Sequence, residues 1–400
     1  MPTAHRVAIT AAGLASPLGL GLAATVPALR EGRDCVTPVT AFEVGRTRSK
    51  TAGQIDDAAL GERLTRRDRR LHPASRMMIA ATREVREGDP GFEPELAIVG
   101  TTSGGMSFGE AYYRSMVARA LPARRARWLA NYLPHKPLLD AQQACGFCVP
   151  NQIIANACAS GTNAIGHAFS LIRAGKQQSV LCGGYDAISE LVFVGFDSLQ
   201  ASTAERIRPF DKNRTGLVLG EGAAMLALEN WESARRRGAP ILAEVTGYGL
   251  STDNHHLTQP HPSGIGPLQA MRRALDSARL SPDQIGYINA HGTATPFNDS
   301  TEGLAIAQLF GDHAVPVSST KSMMGHSLGA AGSIEAVFSL LALRHGFLPP
   351  NINYGEPDPQ WALDIVANQS RNVRVRRILS NSFGFGGTNA SIVLELPDEI

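Results

Sequence analysis

The sequence predicts an α/β fold, and three observations lead to this prediction. Short apolar runs typical of strands alternate with longer segments in which apolar residues recur at helical spacing. Glycine supplies 40 of the 400 residues, which predicts many tight turns between such elements. The charged segment Glu229–Pro240 divides the chain into two parts of similar element content. We therefore predict two halves, residues 1–240 and 241–400.

The individual elements follow from residue type and spacing. Strands are predicted where short apolar runs end at turn residues, at Arg6–Ala12, Leu96–Thr101, Val180–Gly183, Ala223–Leu228, Ile241–Tyr248, Ile285–Ala290, Val315–Ser318, Ile378–Ser382 and Ala390–Leu396. Helices are predicted where apolar residues recur on one face, at Arg67–Arg86, Gly161–Ala174, Trp231–Arg237, Pro267–Ala278, Ser300–Phe310 and Gly329–Arg344.

Composition excludes several classes of function. Hydrophobic residues make up 43% and charged residues 18% of the chain, and the net charge of +2 is too small to indicate nucleic-acid binding. The first ten residues contain no apolar signal core, and the longest apolar stretch, Leu328–Leu343, is too short to span a bilayer. Five irregularly spaced cysteines argue against a disulfide scaffold. A cytoplasmic enzyme with no membrane partner is the expectation.

Cys158 is predicted where a strand passes into a helix. Small residues surround it, and helical spacing then continues to Gly175. Unpaired N–H groups and the helix dipole at such a position stabilise a thiolate. A small buried hydrophobe is the alternative for a cytosolic cysteine, but neighbours this small leave the sulfur open to a substrate. We therefore predict that Cys158 is a nucleophile.

Two histidine segments and a glycine-rich loop follow the cysteine. His291 lies after a predicted strand in YINAHGTATPFND, and His326 lies with Lys321 before a predicted helix in VSSTKSMMGHSLGAAGSIEA. A lone loop histidine is more often structural, but catalytic groups of α/β folds gather at strand ends, where all three loops are predicted. Glycines around Phe383 and Phe385 in SNSFGFGGTNAS leave backbone N–H groups free to bind an oxyanion, unless the loop is a turn with two core phenylalanines.

Three other patterns suggest different chemistry. Gly325–Gly329 reads GHSLG, the nucleophile elbow of serine hydrolases, but the acid and histidine that should follow Ser327 do not come in the required order. The CxxC of Cys145–Cys148 has no second pair at zinc-site spacing. The histidines of segment 255–261 have no carboxylate at helical spacing, so a polar loop is the better interpretation and no metal site is predicted.

The chain resembles the elongating β-ketoacyl-acyl-carrier-protein synthases of the thiolase superfamily. The resemblance covers essentially the whole chain and rests on five motifs in order: NACASGTNAIG, RPFDKNRTGLVLGEGA, NAHGTATPFND, STKSMMGHSLGAAG and NSFGFGGTN. It implies a thiolase-like, five-layered α-β-α-β-α fold built from two similar halves. The first half would carry the nucleophile and the second both histidines. His326 distinguishes this family from initiating synthases, which have Asn there, and from thiolases, which use a second Cys.

The resemblance implies roles for the catalytic residues. Cys158 would accept the acyl group, and His291 and His326 would act in decarboxylating a malonyl thioester and stabilising the enolate. Lys321 would order the loop of the second histidine, with Glu335 as its partner. A buried charge requires such a counter-charge, which explains an acid on an otherwise apolar helix.

Further residues are assigned to substrate binding by the same resemblance. Thr293 and Thr295 match residues that contact a pantetheine arm, and Phe385 matches the gate beside the nucleophile, with Phe383 in the same loop. The backbone N–H groups of the nucleophile and the gate would form the oxyanion hole. Ser103 in GTTSGGM stands where elongating synthases usually carry a bulkier apolar residue that lines the acyl pocket.

Two more departures from the family concern residues near the site. Asp186 replaces a more usual Glu, and Asn163 stands where His is common. Together with Ser103 they leave chain length open, and with it the choice between housekeeping fatty-acid synthesis and a polyketide or polyene pathway.

The expected partners follow from the same resemblance. Substrates would arrive on the phosphopantetheine arm of acyl carrier protein, and no metal or redox cofactor is expected. Acidic carrier proteins would dock on basic residues, for which the candidates are Arg66, Arg67, Arg69, Arg70, Arg124, Arg125 and Arg127. A solvated helix face is the alternative for either cluster. A homodimer, or a heterodimer with a chain-length-factor-like subunit, is expected.

Two functions compete with a condensing enzyme. One is a non-catalytic, chain-length-factor-like partner subunit, but such subunits lack the nucleophile, which Cys158 retains together with His291 and His326. The other is a serine hydrolase acting through Ser327, which the residue order disfavours.

Overall fold

The computed structural model describes residues 4–119 and 123–398. Within them lie the strands β1 (Val7–Ser16), β2 (Gly19–Leu20), β3 (Val36–Pro38), β4 (Thr51–Gly53), β5 (Leu96–Gly100), β6 (Asn151–Ile154), β7 (Ser179–Asp186), β8 (Leu219–Gly220), β9 (Gly222–Asn230), β10 (Ala243–Thr252), β11 (Tyr287–Asn289), β12 (Pro316–Ser318), β13 (Asp364–Ile365), β14 (Arg377–Gly384) and β15 (Thr388–Glu395). The α-helices are α1 (Leu22–Glu31), α2 (Asp57–Glu62), α3 (Pro73–Gly88), α4 (Met106–Val117), α5 (Lys136–Cys145), α6 (Ser160–Arg173), α7 (Glu190–Ser198), α8 (Trp231–Arg236), α9 (Ile265–Ala278), α10 (Pro296–Phe310), α11 (Lys321–Met324) and α12 (Ala331–His345).

The two halves of the chain repeat one strand order. The first half orders its strands β6-β5-β7-β9-β1, and the second orders its strands β12-β11-β14-β15-β10, with β13 added at the edge. In the first sheet β5 is parallel to β6 and β7, whereas β9 is antiparallel to β7 and β1. The second sheet repeats this pattern strand for strand. The prediction of two similar halves is confirmed at the level of topology.

Two helices lie between the sheets and complete the layers. The central helix α6 contacts β5 and β7 of the first sheet and β10 and β15 of the second, and α12 contacts β7, β9 and β14. On the outer faces, α3 covers the first sheet with α5 packed beside it, and α9 covers the second with α10 packed beside it. The antiparallel pairing of Val7–Ile9 with 243–245 joins the two sheets at one edge. This arrangement confirms the predicted α-β-α-β-α order.

The central helices approach each other through glycine. A Cβ atom on Gly161 would lie 2.8 Å from the carbonyl oxygen of Gly329, and one on Gly332 would lie 2.0 Å from Thr162 Oγ1. Residues 331–343 of α12 are all buried, so this helix is apolar on every side except at a few polar positions such as Glu335. The close crossing brings the N-terminal ends of α6 and α12 together, and both lie next to the candidate site.

Some predicted boundaries differ from the structure. The helix predicted from Arg67 begins only at Pro73, because the His72 ring accepts the N–H of Ala74 and caps α3 there, while Asp68–Arg70 forms a short 3-10 turn. Helices α1, α2, α4, α5, α7 and α11 were not predicted. Within the described residues, no helix is long and apolar enough to cross a membrane.

Candidate active site

Cys158 lies in a 3-10 turn, Ala157–Ala159, between β6 and α6. Ala157 has φ 55°, in the left-handed region that a side chain rarely adopts. The Ser160 hydroxyl braces the turn: it donates to the Ala157 carbonyl at 2.5 Å and accepts from the Asn156 N–H at 3.0 Å. The strand-to-helix position predicted for Cys158 is therefore the observed one.

Burial dominates the electrostatics of the Cys158 thiol. It raises the thiol pKa to about 11, although the Lys321 charge and the backbone N–H groups of Phe385 and of Cys158 itself lower it. The N–H groups at this turn thus favour the thiolate, as expected, but burial opposes them and is the larger effect in this structure. The same two N–H groups that act on the sulfur are those expected to form the oxyanion hole.

His291 and His326 face each other beside the sulfur. Their ring centroids lie 5.2 Å apart with planes at 84°, and the His291 ring also meets Phe383 edge-on at 5.9 Å. The Cys158 sulfur and a ring nitrogen of each histidine all lie within 4.8 Å of one another. Both ring nitrogens of His326, and Nδ1 of His291, are buried without a hydrogen-bond partner among the described residues. The rings are thus free to bond to a substrate.

Both histidines are neutral at physiological pH. Burial lowers the pKa of each ring well below 6.5, and the nearby Lys321 charge lowers it further. A neutral imidazole carries one N–H, which can donate a hydrogen bond to a developing oxyanion.

Buried backbone bonds hold the two histidine turns in place. Glu302 on α10 accepts the N–H groups of His291 and Gly292 at 2.9 and 2.8 Å, and it also accepts the Asn381 side chain at 3.2 Å. The His326 N–H donates to the Val218 carbonyl at 2.7 Å. Sequence reasoning missed Glu302. The available signal was an acidic residue eleven positions after His291, near the start of a predicted helix.

Lys321 and Glu335 form a buried ion pair, as their predicted partnership requires. Both side chains are almost fully buried, and the second Glu335 oxygen has no partner among the described residues. Burial raises the pKa of Glu335 to about 7, and the Lys321 charge opposes this. The pair therefore links α11, which directly precedes His326, to the central helix α12.

A cavity of about 370 Å³ opens onto the three reactive side chains. Its walls include two of the predicted pantetheine contacts, Thr293 and Thr295, whose hydroxyls lie 2.9 Å apart. Phe383 and Phe385 also line it. Most of the predicted catalytic and substrate-binding residues thus meet in one cavity. Lys321 and Glu335 do not line it.

The Phe385 ring stacks on Phe196 of α7, with centroids 5.4 Å apart and planes at 17°. Phe196 lines the same cavity and was not predicted. Directly after Phe385, Gly386 (φ 80°) donates its N–H to the Leu257 carbonyl at 2.7 Å. The glycine-rich segment is therefore a loop tied to a second loop.

Ser103 does not line this cavity. It is buried, and its hydroxyl donates to Asp186 at 2.8 Å. The predicted role of Ser103 in an acyl pocket stays a prediction.

The basic residues of the first predicted cluster, Arg66, Arg67, Arg69 and Arg70, are exposed on the segment between α2 and α3. The side chains of Arg124, Arg125 and Arg127 lie outside the described part of the structure. Carrier-protein docking on either cluster stays a prediction.

Cys158, His291 and His326 are also residue types that bind zinc, and their ligand atoms lie close enough together to do so.

Ser327, the serine of the GHSLG pattern, is buried and does not line the cavity.

Comparisons with known proteins agree with this geometry. Residues 4–234 match the family described as "Beta-ketoacyl synthase, N-terminal domain", and residues 242–355 match "Beta-ketoacyl synthase, C-terminal domain". The chain is 37% identical over 413 residues to "3-oxoacyl-[acyl-carrier-protein] synthase 2" of Synechocystis sp., covering 98% of each chain. It is 38% identical over 419 residues to "Tetracenomycin polyketide synthase ketoacyl synthase alpha subunit" of Streptomyces glaucescens, again covering 98% of each.

A solved structure titled "The ishigamide ketosynthase/chain length factor" is similar over the whole chain. It superposes with a TM-score of 0.91 at 35% identity, covering 98% of this chain and 100% of the other.

Proposed function

The chain belongs to the β-ketoacyl synthase family, and from this membership we propose that it joins an acyl group held on Cys158 to a malonyl thioester, with loss of CO₂. The enzyme is an acyltransferase of the 3-oxoacyl-[acyl-carrier-protein] synthase type. The observation that carries the residue assignment is the meeting of Cys158, His291 and His326 within 4.8 Å in one cavity.

The first step transfers the acyl group to the enzyme. The Cys158 sulfur attacks the carbonyl carbon of an acyl thioester, and the carbonyl electrons move onto oxygen, where the N–H groups of Cys158 and Phe385 stabilise them. The C–S bond to the carrier then breaks. The proton leaves Cys158 and reaches the departing thiolate, with a neutral imidazole as its carrier, because burial raises the thiol pKa and disfavours a standing thiolate.

The second step generates the carbon nucleophile. The bond between the α-carbon and the carboxylate of the malonyl thioester breaks, CO₂ leaves, and the electron pair moves into an enolate. His291 and His326 donate N–H bonds to the enolate oxygen, which is why their neutral form is required. The enolate carbon then attacks the acyl carbonyl on Cys158, the C–S bond breaks, and the departing Cys158 thiolate takes up a proton from solvent water. Atoms and electrons balance without a metal or a redox group.

Lys321 and Glu335 act by positioning in this scheme. Their ion pair fixes the segment that precedes His326 against α12. Thr293 and Thr295 line the route along which a pantetheine arm would reach the cysteine.

Acyl carrier protein is the proposed source of both substrates, and a cytoplasmic location accords with such a soluble carrier. We further propose a homodimer, or a heterodimer with a chain-length-factor-like subunit. Exposed apolar side chains support such an interface, since α4 and α7 present Tyr113, Met116, Leu191 and Val194 along an open groove. Both fatty-acid and polyketide synthesis accord with the function. The non-catalytic alternative is disfavoured by the complete cysteine–histidine set.

Substitution of Cys158 tests the proposal. In Cys158→Ala we expect no condensation of acyl and malonyl carrier-protein thioesters, because no sulfur can accept the acyl group. Cys158→Gln, whose amide imitates the acylated state, should still release CO₂ from the malonyl thioester. Mass spectrometry of the intact protein should detect an acyl adduct on the native chain only. Normal product formation by Cys158→Ala would overturn the assignment.

A further inference from the structure

Asp186, the last residue of β7, has a fully buried carboxylate that accepts hydrogen bonds from two separate turns. Oδ1 accepts the Thr101 hydroxyl at 2.8 Å, both the N–H and the hydroxyl of Ser103 at 2.7 and 2.8 Å, and the Gly104 N–H at 3.0 Å. Oδ2 accepts the Thr102 N–H at 2.9 Å and the Gly329 N–H at 2.6 Å. One carboxylate thus binds the segment 101–104 with one edge and Gly329 with the other.

The segment 101–104 directly follows a residue that packs against the start of α6, close to Cys158. Gly100 precedes it, and a Cβ atom there would lie 2.3 Å from the Ser160 carbonyl carbon and 2.4 Å from the Gly161 nitrogen. Those two residues begin α6, two positions after Cys158. A shift of this segment must therefore move the start of α6 and, with it, the sulfur.

Gly329 is close in the chain to the second histidine, His326. It lies three residues after His326, in the 3-10 turn Leu328–Ala330 that precedes α12. A Cβ atom on Gly329 would lie 2.8 Å from Asp186 Oδ2 and 2.6 Å from the Thr101 carbonyl carbon, so the two turns are in backbone contact. The Gly329 N–H bond is the point where the carboxylate of the first half binds the histidine loop of the second half.

We propose that Asp186 is a positioning residue that fixes the spacing between Cys158 and His326, which the two halves of the chain supply separately. This inference rests on the proposed function, because only a reaction that uses both groups depends on their spacing. Acyl transfer requires mainly the sulfur and its oxyanion hole. Condensation requires the acylated sulfur and the enolate held by the histidines at bonding distance, so it should be the more sensitive step.

Asp186→Asn is the informative variant. The amide oxygen of Asn can still accept hydrogen bonds from the segment 101–104. Its NH₂ group would then face the N–H groups of Gly329 and Thr102, and donor would meet donor, which is repulsive. We expect condensation to fall about 100-fold, as a displacement of about 1 Å costs, and acyl transfer to Cys158 to fall less than about 10-fold. The two rates are measured on the same protein by rapid quench, with one acyl thioester and malonyl thioester as substrates.

Glu84→Gln is the matched control. Glu84 on the outer helix α3 is also a carboxylate that accepts two backbone N–H groups, from Leu14 and Leu22 at 2.9 and 2.7 Å. Its loss should lower the thermal midpoint while the ratio of condensation to acyl transfer stays unchanged. If Asp186→Asn does not fold, Gly329→Ala takes its place: its methyl group would lie 2.8 Å from Asp186 Oδ2 and 2.6 Å from the Thr101 carbonyl carbon, so it should separate the same two turns and give the same change of ratio.

Hydrogen–deuterium exchange separates this inference from the proposed function. Amides of segment 326–329 should exchange faster in Asp186→Asn than in the native chain whatever the reaction is. A native chain that cannot condense the two thioesters overturns the proposed function. A native chain that condenses, with both rates lowered equally in Asp186→Asn or with unchanged exchange at Gly329, overturns the positioning role of Asp186.

Discussion

His326 is buried with only 1% of its surface exposed, yet neither ring nitrogen has a hydrogen-bond partner among the described residues. Buried polar atoms are almost always paired, because an unpaired one costs about 1–3 kcal/mol. The fold therefore keeps this ring available at a cost in stability. A substrate oxygen that accepts its N–H would remove that cost, so the unpaired ring is an argument for function rather than for packing.

Removing this ring should impair one half-reaction selectively. In His326→Ala we expect release of CO₂ from malonyl thioester to fall about 10²- to 10³-fold, the effect of losing one donor to an oxyanion. Acyl transfer to Cys158 should be partly retained. The measurement is CO₂ release beside acyl-adduct formation. Loss of both activities to the same degree, or of neither, would contradict the role.

The pH dependence of decarboxylation follows from the histidine pKa values. Both are lowered well below 6.5, so the neutral, donating form persists as the pH falls through 6.5 and disappears only at lower pH. We expect CO₂ release by Cys158→Gln to stay constant between about pH 8 and pH 6.5, the ordinary pKa of histidine. A rate already halved at pH 6.5 would show an unshifted histidine.

Ser103 carries the prediction about chain length. If Ser103 lines an acyl pocket, as the family resemblance implies, its small side chain leaves room that a bulkier one would fill, and one methylene of fit is worth roughly 1–3 kcal/mol in a hydrophobic pocket. Ser103→Ile should therefore lower kcat/KM for the longest acyl chains and barely affect the shortest. Because the Ser103 hydroxyl bonds to Asp186, Ser103→Ala is the control for loss of that bond alone. Equal profiles for the two variants would show that bulk at position 103 does not set the limit.

At this scale the sequence predicted the three side chains that meet in the cavity, but not the residues that hold them in place. Cys158, His291 and His326 stand in recognisable local motifs. Asp186 and Phe196 act through partners distant in the chain, such as the Asp186–Gly329 bond across 143 positions, and no local pattern records such a contact. The effect of burial on the Cys158 thiol pKa was missed for the same reason, since burial is a property of the assembled fold.

At the scale of elements, α12 is an apolar helix with one buried ion pair. Lys321 and Glu335 are 1% and 3% exposed at their side chains, so neither can find water when the other is removed. We expect Glu335→Gln to lower the free energy of unfolding by about 3–5 kcal/mol, because it leaves a buried ammonium without a counter-charge. Urea unfolding followed by circular dichroism measures the change.

The exposed pair Lys212–Glu356 is the control for this prediction. Its side chains are 55% and 60% exposed, and such pairs contribute at most about 1 kcal/mol. Glu356→Gln should therefore leave the unfolding midpoint almost unchanged. Equal effects of the two substitutions would mean that the Lys321–Glu335 pair is solvated.

Elements were predictable where their pattern was strong. Every predicted strand overlaps an observed one, because runs such as Ala223–Leu228 are continuous and apolar. The helix α7 was missed because its apolar run, ELVFVGFDS, contains glycine and β-branched residues that favour a strand. It is helical because the Ser189 side chain caps it and Glu110 accepts the N–H groups of Glu190 and Leu191.

At the scale of the whole molecule, an apolar groove runs between α4 and α7. Tyr113 is 62% exposed there, and Leu191 is 58% exposed. We expect Tyr113→Glu to weaken the proposed dimer, because burying a carboxylate at an apolar interface is costly. Sedimentation velocity at micromolar concentration measures it. Val373→Glu, at a 45% exposed position outside the groove, should leave the dimer intact. A native monomer that is fully active would contradict the proposed assembly.

The division of the chain at residue 240 was read from one charged segment and stays a prediction. The topology explains why the amino-acid sequence shows no repeat. The two halves share strand order and direction, and neither of these requires identical residues. Layer order came from the family resemblance, because apolar periodicity shows which face of an element is buried but not which element covers it.

The position of α6 between the two sheets has a consequence for biosynthesis. By residue 230 a nascent chain contains every strand of the first sheet, from β1 to β9, and that sheet can close while the rest is still being translated. The helix α6 is by then also complete, but α12 and the strands β10 and β15 that cover its far side do not yet exist. Until about 165 further residues emerge, which takes about 8–33 s at typical synthesis speeds, that apolar face stays uncovered. Expression of this protein should accordingly depend on chaperones that bind at the ribosome, and a messenger that slows translation after codon 240 should increase the fraction that aggregates.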